Sequence, residues 1–291
     1  MNTGLSIIIV NFNSGYLLKR CCQSVKNHLS YPHEIIIVDN HSSDHSVEEI
    51  EKLNLENIKV IKNQSNLGFS RANNLGISLS NSDIILFLNP DAYFDEDSGM
   101  YLNIWLQEQF KSNCLYSAIL IDGKNKKIQK TKHEIPTIGN LINKLTRRKV
   151  IYWYTGAFVL ASSKIVHQLN GWSEDYFLYG EDLDLFYRAH QAGIEVSQIQ
   201  CAITHIGNEI GKNFITQKEK MSIGHYTNYL FYKKNKRILD YYLFPIYLFL
   251  VNLIKGNKHG FMLFSSFINY NLHRQTNESK VIAIYDRLKK L

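Results

Sequence analysis

The chain has few cysteines, and none of them stands in a metal-binding or redox spacing. Four of the 291 residues are cysteine, at positions 21, 22, 114 and 201, and no C-x-x-C pair occurs. This argues against a structural zinc site and a dithiol redox motif. The glycine-rich patterns G-x-G-x-x-G and G-x-x-x-x-G-K-[ST] are also absent, which argues against a Rossmann dinucleotide site and a P-loop.

Long apolar runs are absent too. The run Leu5 to Val10 is too short for the apolar part of a signal peptide, and no basic residue precedes it. We therefore expect a chain that stays in the reducing cytoplasm. Two apolar runs near the C-terminus, Tyr241 to Ile254 and Phe261 to Tyr270, are each shorter than the ~20 residues that a membrane-spanning helix needs.

The N-terminal half alternates short β-rich runs with helical patterns. This order predicts βαβ units and a largely parallel sheet. The predicted strands are Leu5–Val10, Glu34–Val38, Ile58–Ile61 and Ile84–Leu88, and the predicted helices are Tyr16–His28, Ser46–Leu53 and Gly68–Leu79. Polar clusters follow the strands, so we expect a ligand pocket along one edge of the sheet.

One acidic segment follows the last of these strands. Asn89, Pro90 and Asp91 come directly after the apolar run 84–88. Amide and carboxylate oxygens two residues apart at a strand end can share a hard cation such as Mg²⁺ or Mn²⁺. An ordinary Asn-Pro-Asp turn is the alternative interpretation.

A second acidic segment opens a predicted helix. Gly180 marks a break before the predicted helix, and residues 181–192 have helical periodicity. Glu181 and Asp182 then lie in the first turn, where the helix dipole favours anions. A carboxylate in a cleft can take a proton from a sugar hydroxyl, although many helices carry such charges without any function. Trp172 and Tyr179 lie close in sequence, as expected of a site that stacks carbohydrate on aromatic faces.

Two further residues have side chains suited to binding a nucleotide. Asp39, after the second strand, could accept the imide N–H of uracil or thymine. Arg71, near the start of the third helix, could meet a base carbonyl or a phosphate.

Six short motifs occur in the order typical of one enzyme family. They are Ser6–Asn13 (SIIIVNFN), Ile36–Asp44 (IIVDNHSSD), Asn66–Gly76 (NLGFSRANNLG), Phe87–Asp91 (FLNPD), Thr155–Phe158 (TGAF) and Gly180–Asp184 (GEDLD), with His205 following. Together they resemble family 2 glycosyltransferases of the GT-A fold, and within them the bacterial rhamnosyltransferase-like members. The resemblance covers residues 5 to about 210.

The resemblance implies a role for each matched residue. Asp182 matches the base of an inverting transferase, with Glu181 beside it. Trp172 and Tyr179 are expected at the acceptor. Donor binding is implied for a set that lies at the strand ends: Asn11, Asp39, Arg71, Asn89, Asp91 and Gly156.

The metal ligands implied by the resemblance are Asp91, Asn89 and His205, holding Mg²⁺ or Mn²⁺. Asn89 departs from the family's Asp-x-Asp pattern, because an amide replaces a carboxylate. His205 is expected to ligate the metal or to touch the diphosphate, and a purely structural histidine is the alternative.

The expected activity is an inverting transfer from a nucleotide diphospho-sugar, dTDP-L-rhamnose or a UDP-hexose, to a glycan or lipid-linked acceptor in bacterial surface polysaccharide synthesis. A non-catalytic nucleotide-sugar or glycan-binding protein on the same fold is the alternative. A nucleotidyltransferase on a similar sheet would need a basic, glycine-rich loop after the first strand. Residues 11–15 contain no basic residue, which argues against that class.

Charge divides the chain in two. Residues 1–211 hold 19 Lys and Arg against 22 Asp and Glu, a net charge of −3, whereas residues 212–291 hold 14 against 4, a net charge of +10. We therefore expect a GT-A catalytic domain over 1–222 and a helical, basic and aromatic extension over 223–291. Short apolar runs flanked by basic residues suit an anionic membrane at the inner face of the cell. Packing on the catalytic domain or a homodimer face is the alternative, and nucleic acid is not expected as a partner.

Overall fold

The computed structural model describes residues 4–53, 57–207, 214–254 and 258–291, except for the side chains of residues 258 and 259. The strands are β1 Leu5–Asn11, β2 His33–Asp39, β3 Ile58–Lys62, β4 Ile84–Leu88, β5 Ala92–Tyr93, β6 Cys114–Asp122, β7 Lys132–Glu134, β8 Tyr152–Tyr154, β9 Phe158–Ser162 and β10 Glu195–His205. The helices of the first two thirds are α1 Tyr16–His28, α2 Ser46–Glu51, α3 Phe69–Leu79, α4 Glu96–Glu108, α5 Ile138–Leu145, α6 Ser163–Gln168 and α7 Glu181–Gln191. Four more follow: α8 Gln217–Lys234, α9 Ile238–Ile254, α10 Lys258–Leu272 and α11 Arg274–Lys290.

A central sheet organises the molecule. Its eight strands run in the order β3-β2-β1-β4-β9-β6-β10-β5, and β7 pairs with β8 in a separate small sheet. The pairs β3-β2, β2-β1, β1-β4 and β6-β10 are parallel, whereas β9 and β5 run antiparallel to their neighbours. The expected mixed, mainly parallel sheet with C-terminal helices is therefore confirmed.

Both faces of the sheet are buried, which explains the unbroken apolar strands. In β1, Ile7 and Ile9 point to the layer that contains α1 and α4, while Ile8 and Val10 point to the layer that contains α3 and α7. Helix α3 packs closely on β1, because a Cβ added at Gly76 would lie 2.4 Å from the Ile8 side chain.

The predicted N-terminal elements agree with the structure to within a few residues at their ends. The helix expected at 181–192 is α7, and Gly180 before it has a left-handed φ of 90°. The sequence Lys255–Gly260, between the two C-terminal apolar runs, predicts a turn; residues 255–257 lie outside the described part, and residues 258–260 belong to the first turn of α10.

The C-terminal helices pack on the catalytic part. Ile223 of α8 and Val281 of α11 are fully buried in one cluster with the segment 177–179. The boundary expected between residues 222 and 223 falls inside α8, so the helix runs continuously across it. The division into two domains stays a prediction.

Candidate active site

A cavity of about 480 Å³ opens at the carboxyl ends of β1 and β4 and beside the start of α7. This is where ligands bind in open α/β sheets. Its wall combines strand-end loops with the first residues of α7, the loop before α8 and the end of α11. Side chains used below that line it are Phe12, Asn89, Asp91, Tyr179, Asp182, His205, Phe214, Lys220 and Leu288.

Asp182 is the α7 carboxylate that faces this cavity. Its Oδ1 accepts a hydrogen bond from the backbone N–H of Leu183 at 2.8 Å, and its Oδ2 accepts from the N–H of Gly156 at 3.3 Å. Burial raises the pKa of Asp182, and these two N–H donors oppose the rise. The group can therefore be ionised near neutral pH while keeping a higher basicity than a solvent-exposed aspartate.

The backbone of Gly156, in the β8–β9 loop, lies against the Asp182 carboxylate. A Cβ added there would lie 3.4 Å from the Asp182 Cβ and 3.6 Å from the Trp172 ring. Both distances are ordinary van der Waals contacts, so Gly156 positions Asp182 through its backbone N–H.

Glu181 points away from the cavity. It is 8% exposed, and its Oε2 accepts no hydrogen bond from the described residues. Burial, and next the charge of Asp182, raise the pKa of Glu181 further above its ordinary value than that of Asp182. The pair is therefore set so that Asp182 loses its proton first and Glu181 stays neutral.

Asp91 and His205 meet across the sheet edge. Strand β5 pairs antiparallel with the end of β10, and His205 lies opposite Ala92. The Asp91 Oδ1 and the His205 Nε2 are 3.4 Å apart, and the Asp91 Oδ2 accepts from the N–H of Gly207 at 3.0 Å.

Gln129 orients the imidazole. Its Nε2 donates to the carbonyl oxygen of His205 at 2.8 Å, so its Oε1 is left to accept from the His205 Nδ1, 2.9 Å away. A neutral His205 then carries its proton on Nδ1 and its lone pair on Nε2. That lone pair faces the Asp91 carboxylate, an arrangement that needs a cation or a proton between the two atoms.

This donor set fits a divalent ion. The Asp91 carboxylate and the amide oxygen of Asn89, which lines the same cavity, suit Mn²⁺ or Mg²⁺ when phosphate oxygens and water complete the shell, and the imidazole nitrogen favours Mn²⁺ of the two. No group of three or more His, Cys, Asp or Glu side chains with metal-binding geometry occurs in the described ranges. The protein would therefore hold the ion only with help from a ligand.

Asp39 and Asn11 lie beside the cavity and not in its wall. The Asn11 Nδ2 donates to the Asp39 Oδ1 at 2.7 Å, and Ser42 donates to Asp39 through both its hydroxyl, at 2.6 Å, and its N–H, at 3.1 Å. Three protein donors thus already bind the Asp39 carboxylate. These contacts organise the loop after β2, and the nucleotide roles of both residues stay predictions.

Arg71 lies on the surface. Its side chain is 59% exposed, and its Nε lies 3.2 Å from Glu174. It is not among the residues that line the cavity. Its expected contact with the donor would require a different side-chain conformation and stays a prediction.

The two aromatic residues expected at the acceptor have different positions. Tyr179 lines the cavity and has a left-handed φ of 66°. Trp172 is 1% exposed and packs edge-on against Phe69 and Phe87 in the core. Its ring is not part of the cavity wall, and the acceptor role of Trp172 stays a prediction.

Sequence reasoning missed the cavity residues that come from the C-terminal part. Phe214 lies 5.3 Å from Phe12 between ring centroids, and Leu288 of α11 closes one side. Lys220 of α8 places its Nζ 5.2 Å from the centroid of the Tyr179 ring. Among the described residues, no other lysine or arginine lines the cavity. No motif marks these residues, although their aromatic and basic character is visible in the sequence.

Comparison with known proteins identifies the family. The model of the family described as "Glycosyl transferase family 2" matches residues 6–169, which is more than half of the chain. The chain belongs to glycosyl transferase family 2. The expected family is thereby confirmed.

Curated relatives of this family 2 protein are identical to it at about a quarter of the aligned positions. The low-salt glycan biosynthesis hexosyltransferase Agl10 of Haloferax volcanii is 25% identical over 207 residues, covering 67% of this chain and 64% of the relative. The rhamnosyltransferase WbbL of Escherichia coli is 25% identical over 194 residues, covering 60% and 72%. A poly-β-1,6-N-acetyl-D-glucosamine synthase of Staphylococcus epidermidis is 24% identical, and the match covers 47% of it. The chain thus spans about half to three quarters of these relatives.

Solved structures share the fold. TarS 1–349 of S. aureus has a TM-score of 0.58 at 13% identity, covering 98% of this chain and 81% of that one. The mannosyltransferase PcManGT of Pyrobaculum calidifontis, in complex with GDP-Man and Mn²⁺, has a TM-score of 0.57 at 12% identity, covering 99% and 87%. These similarities support the GT-A architecture alone.

Proposed function

We propose that this family 2 protein transfers a sugar from a nucleotide diphospho-sugar to a glycan or lipid-linked acceptor with inversion at the anomeric carbon. The observation that carries the proposal is the position of Asp182. Its carboxylate faces the same cavity as Asp91 and His205, and it is held there by two backbone N–H groups. A base and a diphosphate-binding end in one cavity are what a direct displacement requires.

Asp182 would act on the acceptor. Its raised pKa gives a carboxylate that is ionised near neutral pH and still basic enough to take the proton of an attacking hydroxyl. Glu181 would remain neutral beneath it, since a second negative charge in the same buried site is unfavourable. Tyr179, in the wall nearby, would contact the acceptor sugar.

Asp91, His205 and Asn89 would hold Mn²⁺ or Mg²⁺, and a bound ion supplies charge neutralisation at a leaving diphosphate. Gln129 would keep the His205 Nε2 free for that role. The solved relative PcManGT carries Mn²⁺ with its donor, which is consistent with this assignment.

Lys220 would provide a fixed positive charge for the same diphosphate. Its position over Tyr179 in the cavity wall supports this role. A lysine is a compact point charge that pairs readily with phosphate oxygens. Because Lys220 comes from α8, part of the donor site would be built by the C-terminal helices.

The donor and acceptor are proposed from the relatives. The name of WbbL specifies rhamnosyl transfer, whereas TarS was solved with UDP-GlcNAc and PcManGT with GDP-Man. We therefore place dTDP-L-rhamnose and UDP-hexoses first among donors. The names of two relatives, a glycan biosynthesis hexosyltransferase and a poly-N-acetylglucosamine synthase, support a role in surface polysaccharide synthesis.

The test is a panel of nucleotide sugars screened by thermal shift, followed by hydrolysis and transfer assays with and without Mn²⁺. A true donor binds only the native state and raises the melting temperature. The Asp182→Asn variant should keep that shift and lose turnover by 10²- to 10⁴-fold, roughly the contribution of a general base. Normal turnover in Asp182→Asn would refute the role of this residue.

A sugar-binding protein without activity is the second candidate. It would show the same thermal shifts and no hydrolysis with any donor. The combination of Asp182, Asp91 and His205 in one cavity favours the enzyme, because binding alone needs no base with a raised pKa.

A further inference from the structure

The helices α9 and α10 contain two long stretches without a charged residue. Residues 241–254 and 260–272 hold no Asp, Glu, Lys or Arg. Such a composition is usual for a buried helix and unusual for one at the surface of a water-soluble protein.

Much of this apolar surface is nevertheless exposed. On α9 the exposed residues Leu239, Leu243, Ile246, Leu250 and Leu253 repeat every three or four positions, so they form one stripe along the helix. Leu239 is 72% exposed, and Ile254 at the helix end is 85% exposed. On α10 the exposed apolar residues are Phe261, Met262, Leu263, Ile268 and Leu272.

The inner sides of the two helices are already used. Tyr241 and Phe267 are buried and pack with their ring centroids 5.2 Å apart, and Phe249 stacks on Phe264 at 4.5 Å. Through these contacts α9 and α10 pack on each other, and both contact α8. The outer stripe of α9 is therefore not covered by any described part of this chain.

A basic patch lies beside the hairpin. Residues 144–149 at the end of α5 are exposed and contain Lys144, Arg147, Arg148 and Lys149. Helix α5 contacts α9. The pKa of Lys144 is raised by its hydrogen bond to Glu134 and, more weakly, by Tyr247 of α9.

Helix α5 itself adds apolar surface among these cations. Ile142 and Leu145 are 50% and 72% exposed. Apolar side chains interleaved with lysine and arginine are the pattern of a helix that lies in the interface of an anionic bilayer.

The dimensions favour lying on the bilayer over crossing it. Helices of 17 and 15 residues extend about 25 and 22 Å at 1.5 Å per residue, less than the ~30 Å hydrocarbon core. No helix of the described ranges is long and apolar enough to span a membrane.

Charge argues against a second copy of this chain as the occupant. The patch 144–149 holds four cations, of which Lys144 pairs with Glu134, and residues 241–272 contain no acidic side chain. Two copies placed face to face would bring like charges together with no carboxylate to pair them, whereas a leaflet of anionic lipid would attract the patch.

We propose that the outer face of α9 and α10, together with the basic end of α5, docks on the surface of an anionic lipid bilayer. The exposed leucines insert at the level of the headgroups, and Arg147 and Arg148 contact lipid phosphates. This docking does not depend on the proposed transfer reaction.

The test is co-sedimentation of the full chain with vesicles of phosphatidylcholine alone or mixed with phosphatidylglycerol, at low and at high salt. Binding should require the anionic lipid and fall as salt rises. Arg147→Glu/Arg148→Glu should weaken it on the order of a hundredfold, since each cation at an anionic surface contributes several-fold to binding. Leu243→Glu/Leu250→Glu should weaken it at least as much.

Matched controls carry the same changes elsewhere. Lys126→Glu/Lys127→Glu alters two adjacent exposed cations in the turn after β6, and Met100→Glu/Ile104→Glu alters two exposed apolar residues on α4. Both should bind vesicles like the unmodified protein. Circular dichroism and donor hydrolysis in solution check folding and the catalytic proposal separately.

Two results would overturn the proposal. One is equal binding, or none, to the two kinds of vesicle at low salt. The other is a concentration-dependent dimer in sedimentation velocity that Leu243→Glu/Leu250→Glu abolishes, because the stripe would then be a contact between copies.

Discussion

Replacing Glu181 by glutamine should stabilise the protein at high pH and hardly change it at low pH. The carboxyl is 8% exposed, and its Oε2 has no hydrogen-bond donor among the described residues. Burial, and next the charge of Asp182, raise the pKa of Glu181 from 4.5 to about 8. Glutamine has nearly the same shape and cannot ionise.

The direction of this pH dependence of stability follows from the number of protons bound by the folded and unfolded states. Between pH 4.5 and about 8 the folded state holds a proton on Glu181 that the unfolded chain has released. The free energy of unfolding of the unmodified protein therefore falls as pH rises through this window. At 1.36 kcal/mol per pKa unit the full loss is at most about 5 kcal/mol, and relaxation around the charge reduces it. Glu181→Gln removes this loss.

The assay is urea unfolding of both proteins at pH 5, 7 and 9. The advantage of Glu181→Gln should be small at pH 5 and largest at pH 9. Glu108→Gln, at an exposed glutamate near the end of α4, is the control and should show no such trend. A stability difference between Glu181→Gln and the unmodified protein that is constant across this range would refute the reasoning.

The same variant tests the assignment of the base. Because Glu181 should be neutral at pH 7, Glu181→Gln should keep most of its turnover there. The rising limb of kcat/KM should stay near the raised pKa of Asp182, about 6. Lost turnover in Glu181→Gln, with retained turnover in Asp182→Asn, would move the role of base to Glu181.

Three further predictions concern the diphosphate end of the cavity. Asp91→Ala should weaken donor binding and remove any dependence on Mn²⁺, as measured by calorimetry; full activity of the unmodified protein in excess chelator would argue against a required ion. Gln129→Ala should weaken Mn²⁺ binding in the presence of nucleotide by 10- to 100-fold, roughly the effect of removing a residue that orients a metal-bound histidine. Gln129→Glu should largely restore the affinity for Mn²⁺. Unchanged Mn²⁺ affinity in Gln129→Ala would refute the orienting role of Gln129. Lys220→Ala should raise the donor KM about tenfold or more. The control is Lys218→Ala, at an exposed lysine on the same helix, and it should leave the donor KM unchanged. Equal KM values in the two variants would exclude Lys220 from the donor site.

Local patterns were enough to predict the N-terminal half of the fold. Unbroken apolar runs such as Ile84–Leu88 predicted strands buried on both faces, because a parallel sheet between two helical layers leaves no solvent-facing side. The family motifs also predicted which strand ends carry polar groups. Asn89, Asp91 and Asp182 all line the cavity, since parallel strands and the helices that follow them bring their ends to one edge.

Tertiary structure alone decided which of these polar groups line the cavity. Asp39 and Arg71 stand in equally good sequence positions, yet one is bound by Asn11 and Ser42 and the other lies beside Glu174 at the surface. The sequence could not separate Glu181 from Asp182 either. Adjacent residues on a helix point about 100° apart, so only the packing of α7 determines which carboxylate faces the cavity.

The C-terminal part shows the same division. Composition alone predicted short apolar helices with a basic character, because charge and hydropathy are properties of each residue. Packing decided that Lys220 and Leu288 enter the active-site cavity and that the apolar stripe of α9 lies outside beside Arg147 and Arg148. These contacts join residues far apart in the chain, and no local pattern encodes the distance between them.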